Sequence, residues 1–190
     1  WKELEAQQHH EVSQMIFVGD SRVVGMSMAG GYSYVGKESI GYDWFVSEGV
    51  YQMLDQMNAW PDADVILCFG INDVANIGSY ISEYQYLVDA YPDTRFWFMS
   101  VNPVNSKTIE YLGKNAIRKE EVIRKFNSVV GSALGSTFEY IDTYSYLMEN
   151  GYGTNISGTG VDLPDDDGLH YTTKTYKRIF KYCLDYLILH

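Results

Sequence analysis

Short runs of almost unbroken apolar residues constrain this fold more than any other feature of the sequence. Met15-Ile16-Phe17-Val18, Val65-Ile66-Leu67-Cys68-Phe69 and Phe96-Trp97-Phe98-Met99-Ser100-Val101 do not alternate with polar residues. A strand that faces water on one side must alternate, so these runs predict strands covered on both faces. Their stops are Gly19, Gly70 and Asn102-Pro103. A weaker strand is predicted over 34–40, ended by Gly41, and a further one over 138–141. Helical patterns separate them, over 23–28 and from Trp44, capped by Asp43, to about Trp60. Others follow over 79–91, 115–134, 143–150 and 173–189. The segment 115–134 puts Val122, Phe126, Val129, Val130 and Ala133 on one face, and the last helix buries Tyr176, Ile179, Phe180, Cys183 and Leu187. The segment 151–160 reads as a glycine-rich loop. Strands alternating with helices place the chain in the α/β class. The expected architecture is a three-layer α/β/α sandwich with a central parallel sheet of about five strands, flavodoxin-like in outline.

A chain of 190 residues is long enough for one sizeable core and short for two. Residues 1–13 form a polar lead-in, and 14–190 read as a single domain. The net charge of −11 removes any counterion-release gain from nucleic acid and opposes anionic bilayers. The basic cluster from Lys114 to Lys125 is interleaved with Glu120 and Glu121 and reads as a solvated helix face. No apolar stretch reaches the length of a membrane span. Cys68 and Cys183 sit on apolar patterns, and no Cys/His spacing suggests a metal. The chain opens at Trp1 rather than Met, so removal of an upstream segment and an extracellular or cell-surface location are expected.

In an open parallel sheet, ligands bind at the carboxyl ends of the strands. The segments at those ends are Gly19-Asp20-Ser21-Arg22, Gly41 and Gly70-Ile71-Asn72-Asp73. Asp167-Gly168-Leu169-His170 stands just before the last helix. Each segment alone reads as a turn or a cap. Together they supply the residue types of a single reaction.

These segments resemble the SGNH/GDSL hydrolase family, whose four markers occur in the order Ser, Gly, Asn, His. The matching residues are Ser21 in GDSR, Gly41 in SIGYDW, Asn72 in GIND and His170 in DGLH. Gly36 lies close enough to stand as an alternative to Gly41. The first block departs from the family in carrying Arg22 where leucine is usual, at a position that is not catalytic there. The resemblance implies an esterase on an α/β/α fold, with Asp167 completing a triad by the DxxH spacing. Asp165 and Asp166 are rivals for that place.

The chemistry suits these residue types. A serine hydroxyl needs a neighbouring base, and histidine titrates in the right range. The oxyanion of acyl transfer needs donors set in advance. Candidates are the Ser21 N–H at a helix start, the Gly41 N–H, which no side chain obstructs, and the Asn72 amide. Asp20 and Asp73 are expected to fix loops, because a carboxylate beside a developing oxyanion would oppose it. Tyr42 and Trp44 follow Gly41 and are expected to line the substrate pocket, with Asn102 at the site mouth. His9 and His10 read as surface residues, and Gly25 to Gly31 does not spell a nucleotide-binding loop. No cofactor is expected. The expected partner is a small-molecule or carbohydrate ester, with short acyl chains such as acetyl foremost. Lysophospholipase or thioesterase activity, or a non-catalytic carbohydrate-binding surface module, are the alternatives.

Overall fold

The computed structural model describes residues 15–113, 119–135, 138–155 and 166–190. The lead-in, residues 115–118 of the expected helix, residues 156–160 of the loop and Asp165 lie outside the described residues. Five strands, β1 (Met15–Gly19), β2 (Tyr34–Gly36), β3 (Asp64–Cys68), β4 (Phe96–Met99) and β5 (Glu139–Ile141), form one parallel sheet in the order β2-β1-β3-β4-β5. Gly19 pairs in register with Gly36 on one side and Cys68 on the other. The strand order reverses between β1 and β3, which opens a crevice at their carboxyl ends.

Period-two alternation sorts the strand side chains onto two helical layers. Ile16, Val18, Val65, Leu67, Phe96 and Phe98 face one layer, and Met15, Phe17, Ile66, Cys68, Trp97 and Met99 the other. The first layer holds α2, built from Tyr42–Trp44, a π-helical turn Phe45–Gly49 and Val50–Ala59, with α3 (Ile77–Ala90). After the short helix α4 (Ser106–Tyr111), α5 (Glu120–Leu134) completes it. The second layer holds α1 (Ser21–Gly30), α6 (Thr143–Asn150) and α7 (Thr173–Leu189). The chain therefore folds as the three-layer α/β/α sandwich that its apolar runs require.

Several local features differ from the sequence expectation. Strand β2 stops at Gly36, because Lys37 to Ser39 are exposed and Ser39 takes a left-handed turn at φ 59°. In α5 the buried positions are Ile123, Phe126, Asn127, Val130 and Leu134, while Val129 is exposed. Asn127 faces inward because its amide brackets the Val101 backbone, accepting from the N–H at 2.8 Å and donating to the carbonyl at 2.9 Å. The segment read as loop contains β6 (Thr154–Asn155), which pairs antiparallel with β7 (His170–Tyr171). That ladder seats the backbone of His170.

Candidate active site

Ser21 is the first residue of α1, directly after β1. Asp20 caps the helix, its carboxylate accepting from the Arg22 N–H at 3.0 Å. The first N–H groups of a helix have no intrahelical acceptor, and Ser21 stands one residue ahead of the one that Asp20 takes. The local field at this terminus favours negative charge. Burial pushes the Asp20 carboxyl up to about 6, against the pull of the Arg22 N–H and of the Arg22 charge.

The histidine turn folds around its own acid. Asp167 Oδ1 accepts from the N–H groups of Leu169 at 2.8 Å and His170 at 2.9 Å. Asp167 Oδ2 lies 2.6 Å from His170 Nδ1. Burial would raise the Asp167 carboxyl, but the His170 ring and these two N–H groups outweigh it and hold the carboxyl below its ordinary value. Gly168 sits at φ 73°, where a Cβ would also strike the Asn105 carbonyl, so the turn requires glycine. With Nδ1–H donating to Asp167, the lone pair of Nε2 faces Ser21 Oγ at 2.8 Å. Asp166 does not compete for the ring. It accepts from Gly168 N, Thr108 Oγ1 and Asn105 Nδ2, and so ties the turn to α4.

Across the crevice, two hydrogen bonds join the loops after β2 and β3. Asn72 Nδ2 donates to the Ile40 carbonyl at 2.8 Å, and the Tyr42 N–H donates to Asp73 Oδ2 at 2.7 Å. Asp73 also accepts from Tyr80 Oη at 2.8 Å and Asn76 Nδ2 at 3.2 Å. A Cβ on Gly41 would overlap that fixed carboxylate, so the close approach of the loops depends on glycine. Gly36 lacks a side chain for another reason, since a Cβ there would strike the Gly19 carbonyl within the sheet.

Two expected pocket residues are corrected. Trp44 is buried, its ring packed on Gly49 and its Nε1 donating to Glu48 at 3.0 Å, so it faces the core on the helical turn that precedes the π-helical residues. Asn102 is only 3% exposed and does not reach the mouth. Its side chain lines a cavity of about 20 Å³ with Asp20 and Arg22, and its Oδ1 has no partner among the described residues. Tyr42 is half-buried, its ring edge-on to Tyr80 at 5.4 Å.

Sequence reasoning passed over Arg22. It is buried, and its guanidinium donates to the carbonyls of Leu169 at 3.1 Å, Asn102 at 2.7 Å and Pro103 at 2.9 Å. The available signal was a charged residue set between Ser21 and the apolar pair Val23-Val24 at a strand end. Among the described residues no group of three or more His, Cys, Asp or Glu side chains could hold a metal ion. No described helix is long and apolar enough to cross a membrane.

The fold is shared with solved enzymes of low sequence identity. A lipase/acylhydrolase from Enterococcus faecalis is 13% identical with a TM-score of 0.64, over 92% of this chain and 95% of that one. A carbohydrate acetylesterase from Sinorhizobium meliloti is 12% identical with a TM-score of 0.61, over 93% and 99%. The C-terminal catalytic domain of a peptidoglycan O-acetyltransferase from Streptococcus pneumoniae is 12% identical with a TM-score of 0.54, over 92% and 90%. No curated protein sequence matches the chain. The family comparison is decisive: residues 22–183 match the GDSL-like lipase/acylhydrolase model, and the chain belongs to that family of hydrolases.

Proposed function

We propose that this chain cleaves a carboxylic ester through an acyl-Ser21 intermediate, with short acyl groups, acetyl on carbohydrate foremost, as its substrates. The observation that carries the proposal is the hydrogen-bonded series from Ser21 Oγ to His170 Nε2 at 2.8 Å and from His170 Nδ1 to Asp167 at 2.6 Å. His170 Nε2 takes the Ser21 proton as Oγ attacks the ester carbon. The carbonyl π electrons move to oxygen, giving a tetrahedral oxyanion. Its collapse expels the alcohol, which receives the proton from His170. Water then repeats the sequence on the acyl-enzyme and regenerates the serine. Asp167 holds the imidazole in the tautomer that leaves Nε2 basic. The Ser21 N–H, the Gly41 N–H and the Asn72 amide serve as the oxyanion donors. The preference for acetyl groups is supported by the acetylesterase and the O-acetyltransferase that share the fold.

The test is fluorophosphonate labelling, with hydrolysis of p-nitrophenyl acetate and acetylated sugars, in the parent and in Ser21→Ala. The variant should lose labelling and about 10⁶-fold in kcat while keeping its circular dichroism spectrum. Equal labelling or turnover in the variant overturns the proposal. A folded parent that takes no label and cleaves no ester has a closed pocket or a dead site, and shifts the reading toward a binding module.

A further inference from the structure

Ser21 and His170 are 149 residues apart in the chain, yet the proposed proton transfer needs them within hydrogen-bond distance. The Asp166 contacts and the hydrogen bond from Asn105 N to the Gly168 carbonyl fix the histidine turn to α4, not to α1. Arg22 makes the connection to α1. Its Nε donates to the carbonyl of Leu169, the residue before His170. Its guanidinium carbon lies 4.9 Å from the ring centroid of Tyr171, the residue after His170. Its two terminal nitrogens hold the carbonyls of Asn102 and Pro103, and Tyr171 Oη donates to the same Pro103 carbonyl.

We propose that Arg22 is a positioning residue that sets the Ser21–His170 distance by clamping the residues on both sides of His170, the Leu169 carbonyl and the Tyr171 ring, to the serine's own helical turn. The proposal rests on the esterase assignment above. A planar fork with fixed donor directions can hold three carbonyls at once, while a lysine offers one compact charge and a leucine offers none. The three acceptors are main-chain carbonyls, so the clamp depends on the backbone path of residues 102–103 and 169 and not on their side chains. Because Arg22 and Ser21 share a helical turn, any shift of the clamped loops relative to Arg22 changes the reacting distance directly. Misplacement of a reacting group by about 1 Å costs on the order of 10²-fold in rate.

The experiment compares the parent with Arg22→Leu, Arg22→Lys and Arg22→Ala. It measures kcat and KM on p-nitrophenyl acetate, the rate of fluorophosphonate labelling, thermal melting, and the downfield proton resonance of His170 Nδ1–H. In Arg22→Leu, kcat and the labelling rate should fall about 10²-fold with KM little changed, and the resonance should shift or broaden. Arg22→Lys should fall between parent and leucine variant, and added guanidinium ion should restore part of the activity of Arg22→Ala. Variants that melt earlier but keep parental kcat, labelling rate and resonance would overturn the proposal and leave Arg22 a purely structural residue. The resonance is read without turnover, so it judges the clamp even if the parent cleaves no ester. Failure of the esterase assignment is seen separately, in an inactive and unlabelled parent.

Discussion

The two walls of the crevice are organised on opposite plans. On the wall built by α1 and the histidine turn, Ser21, His170 and Asp167 bond to one another in series, each group presenting its partner in the right form. On the wall built by the loops after β2 and β3, Asn72 and Asp73 bond to backbone groups of the neighbouring loop, at Ile40 and Tyr42, and to α3. A series fails wherever it is cut. Donors acting in parallel on one oxyanion each carry a share. If the proposed roles hold, damage to the first wall should be nearly total and non-additive, and damage to the second partial.

Cutting the series at its far end is the strongest test. Asp167→Asn keeps the size of the side chain but presents an amide to Nδ1 and favours the wrong imidazole tautomer. kcat should fall about 10⁴-fold, the scale on which an orienting carboxylate acts. Adding Asp167→Asn to Ser21→Ala should cost almost nothing more. Steady-state rates of the single and double variants check both statements, and additive losses would break the series picture.

On the parallel wall, Asn72→Ala should lower kcat by about 10² to 10³-fold and leave KM nearly unchanged, because an oxyanion exists only in the transition state. The fluorophosphonate labelling rate should fall by a similar factor, since the attacked phosphorus also gains negative oxygen. A change confined to KM would remove Asn72 from the oxyanion site and return it to the role of a tie to Ile40. A loss as deep as that of Ser21→Ala would erase the contrast between the walls.

What could be read in the sequence follows the same division. The sheet was legible because strands buried on both faces cannot hide their apolar runs, as Val65 to Phe69 shows. Ser21, Gly41, Asn72 and His170 were legible as candidates because each lies in a short motif at a strand end or beside the last helix. The clamp was not, since three carbonyls at 102, 103 and 169 leave no trace in residue type. Trp44 misled because its place three residues after Gly41 in the chain does not reveal which way the helix it joins aims its side chain. The six-residue α4 is too short to show a period, with only Ile109 buried.

The smallest expected effect on turnover is at Asp20, and it separates the two carboxylates of the first wall by sign. Asp167 is held below its ordinary value, so its contribution to stability is present above that value and fades as the pH falls through its folded pKa. Asp20 is raised from 3.8 to about 6, so its contribution is full below about pH 4 and is lost as the pH rises through 6. Above that pH the fold carries a buried charge that only the Arg22 N–H and neighbouring charges offset. Asparagine caps a helix as well as aspartate and carries no charge. Asp20→Asn should therefore gain stability relative to the parent between pH 4 and pH 7.5, by about 3 kcal/mol for a shift of about two units. Denaturant unfolding at several pH values reads this directly. A difference that stays flat across the range would mean that the Asp20 charge is better compensated than its burial implies. A difference that widens in favour of the parent would make the Asp20 charge a stabilising partner of Arg22, and the first wall would then be held by an ion pair as well as by the clamp.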